Sequence, residues 1–502
     1  MATKQPAPPT AAADKNTGTP DETDANAADA AITEKKPAAD VLPSPDATEP
    51  PADPADAPRK PAARPIAETI GRFVSEDQIL LRHDRRADQW VRLATGANLN
   101  TGDRLVALPL FRPKIMLNTG LTAQLVGGTV LELHPAKSNT PAGITLVHGR
   151  LAQIAPVARQ GVALHVRYGD RAGTITFSDT DAAAALECYR FYESGADPMT
   201  ASGPTALDLI VTQGKITWQE GDAGQPEPIS AGEHRLVVGT NAPRIEPLAS
   251  PPVWITPLAG LPSEQRAIRD LKKELPPNEA IDLLFDEWVS SQKPEWRRLA
   301  ARSHPYLGRY AALVTLLRSE NEQWEDRRRH IDDLRTAIQF GPEEAKAVRE
   351  ILVREFGEGV GAAVYRLLCG YSAKELEGGQ LAKLVDLLSH ENLVLRATSF
   401  YHLERVAKTP EGRYVTYGYK PEETETRRRT PTQKWREKLR TNSILPRESP
   451  KAAAKGGPAK PDAEDDAPEP GIRLPASEAP AATPPPADPA APADDPKPVG
   501  AP

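Results

Sequence analysis

The chain has 502 residues, of which 26% are charged and 5% aromatic, and its formal net charge is −7. An acidic balance with a pI near 5.9 gives no general basis for binding nucleic acid or anionic membranes. Two cysteines, Cys188 and Cys369, far apart in sequence, argue against a disulfide framework and form no Cys-x-x-Cys pair, so two buried free thiols are expected.

Residues 1–64 and 451–502 contain no aromatic residue and are mixtures of Ala, Pro, Asp and Glu, such as "ADPADAPRKPAAR". Such stretches bury too little apolar surface to offset the entropy of ordering the chain, so the ends are expected to be disordered, Pro-stiffened tails. The first twenty residues lack the apolar core of a secretory signal. No run approaches the ~20 apolar residues of a membrane-spanning helix. The expected location is cytoplasmic, with the cell envelope as the alternative if an upstream anchor is missing.

From Ile66 to about Val253 short apolar runs alternate with turn residues: "QILLRH", "QWVRL", "DRLVALP", "KIMLNTG", "AQLVGG" and "TVLELHP". Strands of four to seven residues at this spacing predict a sandwich or barrel, and "RLVAL" suits a strand with buried faces. Gly102 supplies a positive φ for a turn, and Gly127-Gly128 returns the chain into "TVLEL". Asp103 could in principle be an acid catalyst, but an Asp in a Gly-containing turn is read first as a local hydrogen-bonding residue.

The stretch "QWVRLATGANLNTGDRLVALPLFRPKIMLNTGLTAQLVGGTVLEL" resembles the FecR-type β-domain, through Trp90, Gly96, Leu99, Gly102, Asp103, Leu125, Gly128, Thr129 and Leu131. The later "VTQGKITWQEG…ISAGEHRLVV" is similar to that family's closing pattern, at Val211, Gly214, Ile216, Gly232 and Glu233. The two halves are separated by "RYGDRAGTITFSDTDAAAALECYRFYESGADP", which implies an enlarged variant, and the single span that precedes the domain in typical members is not visible. The resemblance implies envelope signalling or regulation of a sigma factor.

After Leu261 the spacing becomes helical. Leu381, Leu384, Val385 and Leu388 recur at i, i+3, i+4 and i+7, while Pro276-Pro277, Pro294, Pro305 and Pro342 mark starts or breaks. "LAKLVDLLSHENLVLRATSFYHLERVA" resembles a HEAT-type helical pair in which Asn392 caps the second helix.

No constellation declares a reaction. The nine histidines are scattered, and His304 and His330 are expected at a surface or boundary. There is no phosphate loop and no Gly-x-Ser-x-Gly elbow. "GEGVGAAVYRLL" follows a helical pattern, so Gly357, Gly359 and Gly361 read as a helix break and close packing point and not as a dinucleotide fingerprint. Asp282/Asp286 and Asp332/Asp333 read as solvated helix faces beside arginines. Arg327-Arg328-Arg329 and Arg427-Arg428-Arg429 are the two basic clusters. The second continues into Lys434, Trp435, Arg436, Lys438 and Arg440 and is the best candidate contact surface. The plainer reading of the same residues is a closing amphipathic helix with Trp435 and Leu439 inward, its charge offset by Glu422, Glu423 and Glu425.

The expected fold class is multidomain, β then α: an all-β FecR-type sandwich or solenoid over 65–256, a HEAT-like helical domain over 257–446, and tails at 1–64 and 447–502. The expected function is a non-enzymatic bacterial scaffold or regulatory adaptor with a protein partner, no cofactor and no metal. A carbohydrate-binding or carbohydrate-processing envelope protein is the alternative, and contact with nucleic acid through 427–440 is disfavoured.

Overall fold

The computed structural model describes residues 68–136, 141–221, 223–257, 260–407 and 415–444. The tails expected at 1–64 and 447–502 lie outside the described residues. Strands come first: β1 (Thr69–Phe73), β2 (Leu80–Asp84), β3 (Gln89–Arg92), β4 (Asn98–Asn100), β5 (Arg104–Ala107) and β6 (Lys114–Leu117). They continue as β7 (Leu121–Leu125), β8 (Thr129–His134), β9 (Gly143–Pro156), β10 (Val162–Tyr168), β11 (Arg171–Phe177) and β12 (Ala183–Arg190). The last are β13 (Thr205–Gln213), β14 (Lys215–Glu220), β15 (Glu227–Ser230), β16 (Glu233–Val238) and β17 (Arg244–Pro247).

The pairings resolve into two open sheets that share one long strand. The first runs β4-β1-β6-β7-β9-β12-β13-β16-β17. The second runs β3-β2-β5-β8-β9-β10-β11-β14-β15. Strand β9 crosses between them near Gly149, whose φ of 108° is open to glycine and whose Cβ would collide with Thr129. Alternation sets the faces: in "VALHVRY" Val162, Leu164, Val166 and Tyr168 are buried, while Arg167 on the other face is exposed.

Strand β5 does not alternate, because both of its faces are covered. Leu105 and Ala107 meet the first sheet, together with Leu80 and Leu131. Val106 points the other way with Leu81 and Val130, into a core shared with the helices. Each such side chain, fully buried, is worth about 1.5–3 kcal/mol. The other half of the second sheet has no such cover, and its outer face carries His165, Arg167, Thr174, Thr176, Lys215 and Thr217.

The helices are α1 (Pro262–Glu274), α2 (Asp282–Val289), α3 (Pro294–Ser303), α4 (Ala311–Arg318), α5 (Trp324–Gln339) and α6 (Pro342–Cys369). They end with α7 (Ala373–Glu375), α8 (Leu381–Leu387), α9 (Leu393–Val406) and α10 (Glu425–Arg440). Pro294 and Pro342 stand in the first turns of α3 and α6, where a missing N–H costs nothing. Helix α6 breaks at Gly357 (φ 79°), and at Gly361 a Cβ would press within 2.5 Å of the Leu352 carbonyl. Gly359 has open space around it and plays no part in that packing. The Asn392 side chain accepts from the N–H groups of Val394 (2.9 Å) and Leu395 (3.2 Å), capping α9 as expected. Helix α9 is buried on every side from Val394 to Glu404.

Contacts at several places lock the helical region onto the sheets. The segment before α2 adds to the free edge of β3: Asn278 donates to the Arg92 carbonyl (2.8 Å), Arg92 N–H to Glu279 (3.0 Å), and Ile281 N–H to Trp90 (2.9 Å). The loop after β12 reaches α6, where the Tyr365 hydroxyl donates to Asp197 (2.6 Å), and Ser194 donates to the Tyr371 carbonyl (3.1 Å). At the bend of β9, His148 stacks on Phe340 at 3.8 Å between centroids.

The interface and the helical packing correct several sequence expectations, Asp332 and Asp333 among them, since Asp332 pairs with Arg405 at 2.6 Å and burial raises the Asp333 carboxyl. Asp282 is not on a solvated face: it is 3% exposed, accepts from the Trp90 N–H at 3.1 Å, and pairs with Arg309 at 3.1 Å. His304 and His330 are not at the surface but buried, at 0% and 3% exposure. Helical packing encloses both, His304 against the edge of Phe285 and His330 beside Glu322.

Candidate interaction surface

The residues that carry the β-domain resemblance have structural work to do. Gly96, Gly102 and Gly128 all have φ near +80 to +90°. The Asp103 carboxylate accepts from Asn100 N–H at 2.8 Å, closing the turn that the Gly102 φ permits. Trp90 is buried and its indole N–H reaches the Leu307 carbonyl at 3.4 Å, so it faces the helices. Gly128 is also a close approach, since a Cβ there would lie 2.7 Å from the Tyr306 hydroxyl.

Clustered titratable groups in the interior are paired with one another. Arg235, 1% exposed, joins Glu220 and Glu227 at 3.0 Å each and lies 5.0 Å from the centre of the Trp218 ring. Glu220 also accepts from Arg171 (2.8 Å) and the Trp218 indole (2.8 Å). Burial pushes Glu220 upward, but the Trp218 and Arg171 donors hold its carboxyl below the ordinary value. This network ties β16 of the first sheet to β11, β14 and the β15 edge of the second, and it is a clip between layers. Burial raises the Cys188 thiol to about 12 and the Cys369 thiol to about 11, and both are free. Among the described residues no group of three or more His, Cys, Asp or Glu is placed to hold a metal ion.

Trp90, Trp218, Trp288 and Trp435 are core residues, whereas Trp254 is half-buried beside Arg150 and Trp296 half-buried under Lys293. A cleft of about 600 Å3 opens at the start of α9, but its lining mixes Arg318 and Arg396 with Glu320, Glu391 and Glu422. Asn392 already satisfies the first amides of α9 there.

Helix α10 is different. Glu425 stands in its first turn and Lys438 and Arg440 in its last, the order that complements the helix dipole. Arg428, Thr432 and Trp435 turn inward with Leu439 half-buried, and they make a narrow seam against α8 and α9. Trp435 is fully buried, edge-on to Tyr417 at 4.8 Å and Phe400 at 6.5 Å. Arg428 donates to the carbonyls of Glu423 (2.8 Å) and Leu388 (3.1 Å). Arg428 and Trp435 therefore leave the sequence-derived contact surface, because the Glu423 and Leu388 carbonyls and an aromatic pocket draw them inside.

Arg427, Arg429, Lys434 and Arg436 remain exposed, and Lys438 and Arg440 join them. At 3.6 residues per turn, Arg427, Lys434 and Lys438 form one row and Arg429, Arg436 and Arg440 another, one on each side of the seam. Among the described residues none of the six pairs with a carboxylate; Arg436 donates to the Ser389 hydroxyl at 3.2 Å. Of the three flanking glutamates Glu422 accepts from the Trp324 N–H at 3.3 Å, and among the described residues neither it nor Glu423 or Glu425 forms an ion pair with these cations. Sequence reading found all six of these cations, Lys438 and Arg440 included, but not that they fall into two rows flanking a buried seam.

No family profile matches the chain, and no curated protein matches it in sequence. Among solved structures it has a partial similarity to a proposed anti-sigma factor from Parabacteroides distasonis, at 13% identity and a TM-score of 0.21. The match covers 29% of this chain and 59% of that one, and at that TM-score it carries no argument about function.

Proposed function

We propose that this chain is a non-enzymatic interaction protein, a bacterial scaffold or regulatory adaptor that docks an acidic protein surface on the outer face of α10. The observation that carries the reading is the contrast in pairing. In a chain of net charge −7, six exposed cations on one helix have no carboxylate partner among the described residues. An unpaired array of this kind steers and orients an acidic partner. The sheets would act as the scaffold, a FecR-like sandwich over 65–256, with a HEAT-like helical domain over 257–446. The turn and core residues from Trp90 to Leu131 support that likeness, and with it a setting in envelope or sigma-factor signalling.

Deleting the β-region would expose Val106, Val130 and the helical core beneath them, so the test uses surface charge instead. A crosslinked pull-down from native cells compares the natural chain with an Arg429→Glu/Arg436→Glu/Arg440→Glu variant. The expected outcome is a defined partner set that elutes with salt and is lost with the variant. Recovery of the same set by both proteins overturns the assignment to α10.

A further inference from the structure

We propose that the acidic stretch 462–469 of the same chain folds back onto the basic face of α10 and competes with the partner, making the contact surface self-masked. The proposal rests on the reading of α10 as a contact surface and adds its regulation. Two observations support it. The first is charge complementarity. The sequence "DAEDDAPE" carries five carboxylates, Asp462, Glu464, Asp465, Asp466 and Glu469, and no cation. The two rows on α10 present six cations against two carboxylates on the same helix, Glu425 and Glu437, and among the described residues none of the six forms an ion pair.

The second observation is reach. The described chain ends at Ile444, just past α10, and 17 residues, 445–461, separate it from Asp462. Extended, such a tether spans at most about 60 Å, whereas a 16-residue helix such as α10 is about 24 Å long. The tether itself carries Arg447, Lys451, Lys455 and Lys460 against Glu448 alone, so 462–469 is the first acidic block that can meet the helix. Tethering at this length gives millimolar effective concentration, enough for individually weak ion pairs to compete with a free partner.

The test uses the full chain. A zero-length carbodiimide joins carboxylates to amines in direct contact, and mass spectrometry then reads the linked pairs. The expected pairs join Lys434 or Lys438 to the carboxylates of 462–469 within monomers, and they disappear at high salt. Links from 462–469 that run only to Lys451, Lys455 or Lys460, or links from α10 to Asp21, Glu22 or Asp24, overturn the proposal. Binding of a fluorescent polyglutamate probe is measured in parallel, with the natural chain and an Asp462→Asn/Glu464→Gln/Asp465→Asn/Asp466→Asn/Glu469→Gln variant. The variant should bind about tenfold more tightly, as expected when an intramolecular competitor is removed. Equal binding by the two proteins overturns self-masking but leaves the contact surface standing. Binding by neither overturns the contact surface itself.

Discussion

The triplet Arg-Arg-Arg occurs at 327–329 on α5 and at 427–429 on α10, and the structure uses the two in opposite ways. On α5 all three are engaged. Arg327 is fully buried and donates to the carbonyls of Leu317, Ser319 (2.8 Å) and Glu322 (2.9 Å), closing the end of α4 and the turn after it. Arg328 pairs with Glu325 at 3.6 Å and lies 3.9 Å from Glu404, and Arg329 pairs with Asp326 at 3.1 Å. On α10 only Arg428 turns inward. The difference lies in the surroundings, not in the triplets: α5 is ringed by carboxylates and by carbonyls that a neighbouring helix end leaves open, while the outside of α10 carries only Glu425 and Glu437, neither of which forms an ion pair with the exposed cations among the described residues. A basic run becomes structure where helix ends and acids surround it, and a surface where they do not.

The largest expected effect sharpens the contrast from the interior side. Burial holds His148 down to about 3, His304 to about 4 and His402 to about 3, so all three are neutral in the fold. An unfolded histidine takes up a proton near pH 6.5, so below that pH the unfolded state binds more protons and the fold loses stability. Above pH 6.5 their contribution is fully present. Between pH 6.5 and about 4, each histidine contributes a loss of up to ~1.4 kcal/mol per pH unit. Asp333 acts the other way, since burial pushes it up to about 6, and its penalty is relieved as pH falls from 6 towards 3.8. Three histidines against Asp333 and Glu404, whose carboxyl burial also raises, give a net loss of stability on acidification, measurable as a falling denaturation midpoint from pH 7 to pH 5. A midpoint that rises over this range would show that the interior does not keep its histidines neutral.

Next in size is Arg327→Ala. It strips three carbonyls of their charged donor, and the expected loss is about 3 kcal/mol by urea denaturation. A cost below 1 kcal/mol would erase the distinction between the two triplets.

The sequence makes some of this contrast legible and hides the rest, for physical reasons. Turn glycines declare themselves, because Gly102 and Gly128 sit at positive φ where a side chain is strained. The Asn392 cap is equally readable from an oxygen-bearing side chain before an apolar run. What stays hidden is long-range. Asp282 looks like any helical aspartate until β3, 192 positions away in sequence, presents the Trp90 N–H to it. The loop 191–204 reads as an insertion in a β-domain, although Ser194 and Asp197 bond to the helical region. In the candidate surface, spacing alone reveals which of its residues share a helix face, but not that Leu388 and Glu423 leave carbonyls for Arg428 to fill.

The smaller effects lie within the second triplet. Arg428→Ala should cost about 1–3 kcal/mol, since the Leu388 and Glu423 carbonyls lose a charged donor. The Tyr419 hydroxyl still donates to Leu388 at 2.7 Å, which keeps the cost below that of Arg327→Ala. Arg427→Ala and Arg429→Ala remove side chains that are exposed and form no ion pair, so each should shift stability by no more than about 0.5 kcal/mol. A step of this size between adjacent arginines is a sharp expectation, because composition and helix propensity are the same at all three positions. Denaturation of the three single variants reads it directly. Three equal losses would mean that α10 packs through its outer face as well, and that the cations at 427 and 429 are not free to meet a partner.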